Sequence, residues 1–126
     1  YSHVMHLVTG VHGQLDSKYD PFDVFAATFP AGTVVGAPKL RAAALIAQME
    51  PHPRGVYGGT VGYFGHDGAM DHAIAIRSLT FQEGEYRYQA GAGIVADSVP
   101  TAEYQEILSK GKAMKRALEL AAGGLV

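Results

Sequence analysis

Glu103 and Glu106 stand three residues apart at the start of the last long helix-forming run, with Lys110 four residues beyond the second. At 100° per residue the three fall within an arc of about 60°, so they share one face. Tyr104, Ile107, Gly111, Met114 and Leu118 form the neighbouring apolar stripe, which places the acidic face at the edge of the buried surface. Two carboxylates so placed suit one hard cation, because Mg²⁺ takes oxygen ligands, commonly one or two carboxylates plus waters and substrate oxygens. A plainer role fits the same residues: acidic side chains in a first turn complement the helix dipole, and Glu106 with Lys110 is an ordinary i, i+4 pair. The helix alone favours that plainer role.

A second constellation precedes it. Residues 73–82 and 85–91 alternate around Glu83-Gly84 and predict a hairpin with a two-residue turn. In that register Arg77 faces Ala90, so its side chain rises beside the backbone of Gly91, Ala92 and Gly93. Ala73 and Ala75 share its face at period two and would leave a floor of small side chains under the guanidinium. Arginine grips a carboxylate with two parallel N–H groups, and glycines let backbone N–H groups approach an anion closely. An arginine snorkelling at a strand end next to a glycine-rich bulge is the plainer alternative. Arg77 and the glycine segment together read as part of one site for a small anionic metabolite.

The elements that must position this site follow from local signals. A strand is expected near residues 2–14, then a helix from Asp20, an N-cap followed by Pro21 at the first helical position. A loop through Pro30, Ala31 and Gly32 leads to a second helix over 37–49, ended by Pro51, Pro53 and Gly55. Strands are expected over 58–65, 72–82 and 85–95, before a terminal helix over 101–122 that starts after Pro100 and stops at Gly123-Gly124. Hairpins with segregated helices argue an α+β fold. No repeat, low-complexity tract or linker divides the chain, so residues 1–126 are expected to form one unit.

Composition narrows the function classes. The 126 residues are 48% hydrophobic, enough for one modest core, and the net charge of −2 carries no nucleic-acid footprint. No apolar run reaches membrane-spanning length and no signal peptide is seen, so a cytoplasmic location is the default expectation. With no cysteine, disulfides, thiolate metal sites and a cysteine nucleophile are excluded. His6 alternates with Val4 and Val8, and on spacing alone it reads as a core residue of a strand. His3, His12, His52, His66 and His72 show no metal-binding spacing of the HExxH type and are read as structural or solvent-facing.

The segments VMHLV (4–8), GTVVGAPKLRA (32–42), RGVYGGTVGYF (54–64), MDHAIAIRS (70–78) and QAGAGIVADSVP (89–100) resemble the chorismate-utilising enzymes in order and spacing. The resemblance runs from Val4 to about Ala121. Within that family the wording is most similar to the large subunits of anthranilate synthases, with the aminodeoxychorismate synthases as nearest competitor. It implies two β-sheets packed face to face with helices outside, and chorismate as substrate. It further implies Mg²⁺ at Glu103 and Glu106, with Thr33, Tyr57, Arg77, Gly91, Ala92, Gly93 and Lys110 as substrate contacts. His6 corresponds to a histidine assisting departure of the ring hydroxyl. Where the family commonly carries a small hydroxyl residue, this chain has Val35.

The implied reaction is a magnesium-dependent lyase step in tryptophan biosynthesis, from chorismate and ammonia to anthranilate and pyruvate. Its alternatives are 4-amino-4-deoxychorismate as product, or a chorismate-binding fragment without turnover. A separate, cysteine-dependent glutamine amidotransferase subunit would supply the ammonia. The chain begins inside what reads as a paired strand, so it is expected to be the C-terminal part of a chorismate-binding catalytic domain, completed by the remainder of its own subunit.

Overall fold

A computed structural model of the chain describes residues 9–124. His6 and the first half of the strand expected over 2–14 lie outside the described residues. The second half, from Thr9 to Gln14, is not a strand: it runs as exposed coil without ladder partners.

The first helix, α1 (Pro21–Thr28), starts where the sequence asks it to. Asp23 N–H donates to the Asp20 carboxylate at 3.0 Å, and Asp20 N–H donates to the Asp23 carboxylate at 3.0 Å. This reciprocal box satisfies two of the free first-turn donors. A single helical turn, α2 (Gly32–Val35), ends at Gly36, whose φ of 103° suits only glycine. The next helix, α3 (Lys39–Met49), begins two residues later than expected. Pro38 is its N-cap, and the residue before a proline is kept out of the helical region, which excludes Ala37. Lys39 Nζ donates to the Thr28 carbonyl at 2.9 Å and ties the start of α3 to the end of α1.

Two antiparallel hairpins follow. β1 (Thr60–Phe64) pairs with β2 (Met70–Ile74), Gly62 opposite His72. At the open end of this ladder Gly58 N–H donates to Ala75 O and Ala75 N–H donates to Gly59 O, both at 2.9 Å. Two residues thus oppose one, and Gly58 at φ 78° takes the left-handed conformation of the first position of a glycine bulge. β3 (Thr80–Gln82) pairs with β4 (Glu85–Arg87) in the expected register, Gln82 opposite Glu85. Glu83 (φ 54°) and Gly84 (φ 82°) make the expected two-residue turn, with the positive φ values that match strand twist.

The run expected as one strand over 72–82 is therefore two strands in different sheets. Arg77 has φ 52°, a conformation no strand residue holds, and it breaks the run between β2 and β3. The strand expected over 85–95 stops at Arg87, which pairs with Thr80, the first residue of β3. Arg77 is thus not paired with Ala90 in a ladder, and Ala73 and Ala75 do not floor its side chain, since period-two alternation ends at the break.

α4 (Pro100–Ala122) is the long terminal helix. Gly111 and Met114 of its apolar stripe are buried, Ile107 and Leu118 are half-buried, and Tyr104 is instead 58% exposed. A Cβ on Gly111 would lie 3.0 Å from the Tyr88 ring, so the glycine is what lets α4 close on that ring. Packing between α1 and the first hairpin is aromatic: Phe22 stacks on Phe64 at 4.4 Å, and His72 sits between Phe25 at 4.9 Å and Phe64 at 4.6 Å.

The architecture is α+β, as expected. Its surface is not that of a closed domain. The accessible area is 10673 Å², against roughly 6,500 Å² for a compact monomer of 13.3 kDa. Ala75 (2% exposed) and Met114 (5%) are the buried apolar side chains among the described residues. Neither hairpin has a buried face, so the face-to-face sheet packing implied by the family resemblance is not formed within residues 9–124. One position in the first hairpin tolerates no side chain, because a Cβ at Gly62 would overlap the Asp71 carbonyl oxygen and the His72 ring. Gly62→Ala should lower stability by about 2 kcal/mol through overpacking, measured by urea unfolding; a midpoint unchanged from wild type would contradict the register.

Candidate active site

Seven of the residues singled out from the sequence line one cavity of about 330 Å³. They arrive there from five places in the chain. Thr33 comes from α2, Tyr57 precedes the Gly58–Gly59 bulge, Arg77 sits at the break after β2, and Gly91, Ala92 and Gly93 follow β4. Lys110 reaches the cavity from the half-buried face of α4. Val34, Ile76 and Met114 supply apolar wall between the polar groups, the usual make-up of a small-molecule cavity.

The bulge explains why Tyr57 and Arg77 meet. With Ala75 held between Gly58 and Gly59, the residues just outside the ladder on both strands, Tyr57 on one and Ile76 and Arg77 on the other, turn toward the same space. Gly91 closes against Tyr57: a Cβ there would stand 2.9 Å from the tyrosine hydroxyl oxygen, with the ring itself at 3.8 Å or more. Arg77 keeps its positive φ although a non-glycine residue in that region costs roughly 1–2 kcal/mol. Such strain persists where surrounding structure holds it, and it clusters at sites of binding and catalysis.

The charges in the wall are not equivalent. Lys110 Nζ lies 2.6 Å from Glu106 Oε1 and donates to the Gly91 carbonyl at 2.8 Å, which pins the glycine segment to α4 and neutralises the ammonium. Arg54, also in the wall, is paired with Glu50: Nη2 donates to Oε1 at 2.5 Å and Nε to Oε2 at 2.9 Å. That bond holds the Glu50 carboxyl below the usual carboxylate range, against the opposing effect of burial, and pushes the arginine up. A depressed carboxylate contributes its stability fully above its unfolded-state pKa and loses it as pH falls through the folded value. Arg77 forms no ion pair or hydrogen bond among the described residues. It is the uncompensated cation of this cavity.

Glu103 and Glu106 are not wall residues. Glu103 is half-buried and its Oε1 accepts the Ser98 hydroxyl at 2.6 Å, while Glu106 is engaged by Lys110. Among the described residues no group of three or more histidine, cysteine, aspartate or glutamate side chains gathers. The two carboxylates on adjacent turns match in kind the one or two that a Mg²⁺ ion commonly takes from protein. Of the other histidines, His12, His52 and His66 are exposed, as expected, and His72 belongs to the aromatic packing under α1.

Arg54 and Gln89 are also wall residues, and no sequence signal marks them. Glu50 and Arg54 are four apart, but Pro51 and Pro53 lie between them and no helix joins them, so the spacing rule for helical pairs carries no signal.

Residues 1–116 match the family described as chorismate binding enzyme. Against curated proteins, the chain is 54% identical over 121 residues to an anthranilate synthase component 1 of Aquifex aeolicus, covering 96% of this chain and 24% of that protein. It is 52% identical over 125 residues to a protein of the same description from Thermus thermophilus, covering 99% and 27%. With that of Acinetobacter calcoaceticus it shares 51% over 126 residues, covering 100% and 25%. The chain spans about a quarter of the length of these relatives.

The Tyr57–Gly91 contact gives a clean test of the cavity's geometry. Gly91→Ala should cost about 1–2 kcal/mol of stability, and in a Tyr57→Phe background, where the colliding oxygen is gone, the same substitution should cost almost nothing. Equal penalties in the two backgrounds, measured by denaturant unfolding, would contradict this wall.

Proposed function

The chain belongs to the chorismate binding enzyme family, and from that premise we propose that it forms the anion-holding part of an anthranilate synthase large subunit. The observation that carries the reading is the cavity whose wall holds both Arg77, free of any partner among the described residues, and the Gly91–Gly93 segment. Chorismate is a cyclic dicarboxylate, and these groups are suited to it. Arg77 binds one carboxylate with two parallel N–H bonds, and the backbone N–H groups of the glycine segment orient the molecule beside Tyr57 and Thr33. Val34, Ile76 and Met114 offer apolar surface to the ring and displace water from it.

In the proposed reaction ammonia forms a C–N bond to the ring, the ring hydroxyl departs as water, and the enolpyruvyl group leaves as pyruvate as the ring becomes aromatic. His6 is proposed to hold and move a proton near the departing hydroxyl. Glu103 and Glu106 would hold Mg²⁺. That site would supply Lewis-acid chemistry toward a substrate carboxylate. Lys110 then stands as the cation that orients Glu106. This chain has no cysteine to hydrolyse glutamine, so the ammonia is proposed to come from a separate glutamine amidotransferase subunit. The large uncovered surface supports placing the rest of the domain against these residues. No helix among the described residues is long and apolar enough to cross a membrane.

One neighbouring reading belongs to the same chemistry: addition of ammonia without loss of the pyruvyl group, giving 4-amino-4-deoxychorismate. Chromatography of the products formed by the complete subunit from chorismate, ammonia and Mg²⁺ is expected to show anthranilate and pyruvate in equal amounts. A product that keeps the pyruvyl group would establish the neighbour, and chorismate binding without turnover would remove the enzyme reading. Arg77→Ala in that subunit should lower kcat/KM by about 10- to 100-fold, since a charged hydrogen bond to the substrate worth roughly 1.5–3 kcal/mol is lost; an unchanged kcat/KM would overturn its role.

A further inference from the structure

We propose that Arg54 is a positioning residue for this site: it acts on the substrate through Tyr57 and the Thr33–Val34 turn. The proposal rests on the chorismate reading above. Arg54 reaches three different parts of the wall at once. Its Nε and Nη2 groups grip the Glu50 carboxylate at the end of α3, and Nη1 donates to the Val34 carbonyl at 3.1 Å. The guanidinium carbon lies 5.4 Å from the centroid of the Tyr57 ring, within the range of a cation–π contact.

α2 packs against the start of α3, and Arg54 adds a polar tie to it from the far end of that helix. α2 is four residues long, has no side-chain cap and buries none of its residues. Its described ties to the rest of the wall are the Arg54 bond to Val34 and the close approach of Val34 to the side-chain-free Gly58. Tyr57 hangs just outside the β1–β2 ladder, between Arg54 on one side and Gly91 on the other. The Glu50 carboxylate neutralises Arg54, so the residue adds orientation more than net positive charge, leaving Arg77 as the anion's partner. Lysine cannot do this work: one ammonium has no planar fork with which to hold both Glu50 oxygens while bonding a carbonyl on another segment.

The test is steady-state kinetics of the complete subunit with chorismate, ammonia and Mg²⁺, comparing wild type with Arg54→Lys, Arg54→Ala and Glu50→Gln. Misplaced wall groups should raise KM for chorismate about tenfold in all three with kcat changed by less than about threefold. Added methylguanidinium should restore much of the KM of Arg54→Ala, a recovery that a merely destabilised fold would not show. If Arg54→Ala does not fold, Glu50→Gln decides, because it keeps the shape of the pair and loosens the grip. Wild-type KM in folded Arg54→Lys and Glu50→Gln would overturn this proposal alone. Absence of any turnover or chorismate binding by the unsubstituted subunit would overturn the functional reading and this proposal with it.

Discussion

The glycine bulge at Gly58–Gly59 is the constraint on which the site depends. Ala75 is held on both its N–H and its carbonyl by those two glycines, and it is the most buried apolar side chain of the described residues. A bulge bends one strand and re-aims the side chains next to it. Here it sends Tyr57 away from the ladder, while the left-handed residue Arg77 turns the opposite strand toward the same hollow. Without the extra residue, Tyr57 would continue the alternation of β1 and lie against the sheet.

Around that constraint the walls are joined by polar ties more than by a core. Glu50, Arg54 and the Val34 carbonyl link α3, α2 and the strand entry; Lys110 links α4 to Gly91; Ser98 links the turn before α4 to Glu103. Each tie is worth little by itself in solvent. Their value rises when water is excluded, and the extent of exposed surface marks where other structure would exclude it. The site is thus laid out by backbone geometry and side-chain hydrogen bonds.

Features set by neighbouring residues were legible in the sequence. The Asp20-Pro21 start of α1, the Glu83-Gly84 turn with its register, and the span of α4 depend on a few adjacent side chains, and each is found where those residues imply it. Alternation misled over residues 72–82, because a period-two pattern records polarity and not the sign of φ, and Arg77 reverses that sign in mid-run. The gathering of Thr33, Tyr57 and Arg77 came from family resemblance, since no spacing rule connects residues so far apart. Arg54 escaped notice because its partner is four residues away across two prolines, where helical reasoning has no purchase.

The central claim is that the space enclosed by Arg77, Tyr57 and the Gly91–Gly93 segment is where a cyclic dicarboxylate sits. The most direct measurement is a crystal structure of the complete subunit with an unreactive ring dicarboxylate bound. One carboxylate is expected within hydrogen-bond distance of two Arg77 guanidinium nitrogens, and the other end of the ligand beside the glycine backbone. A ligand seated elsewhere, with Arg77 turned to solvent or paired to a protein carboxylate, would contradict it.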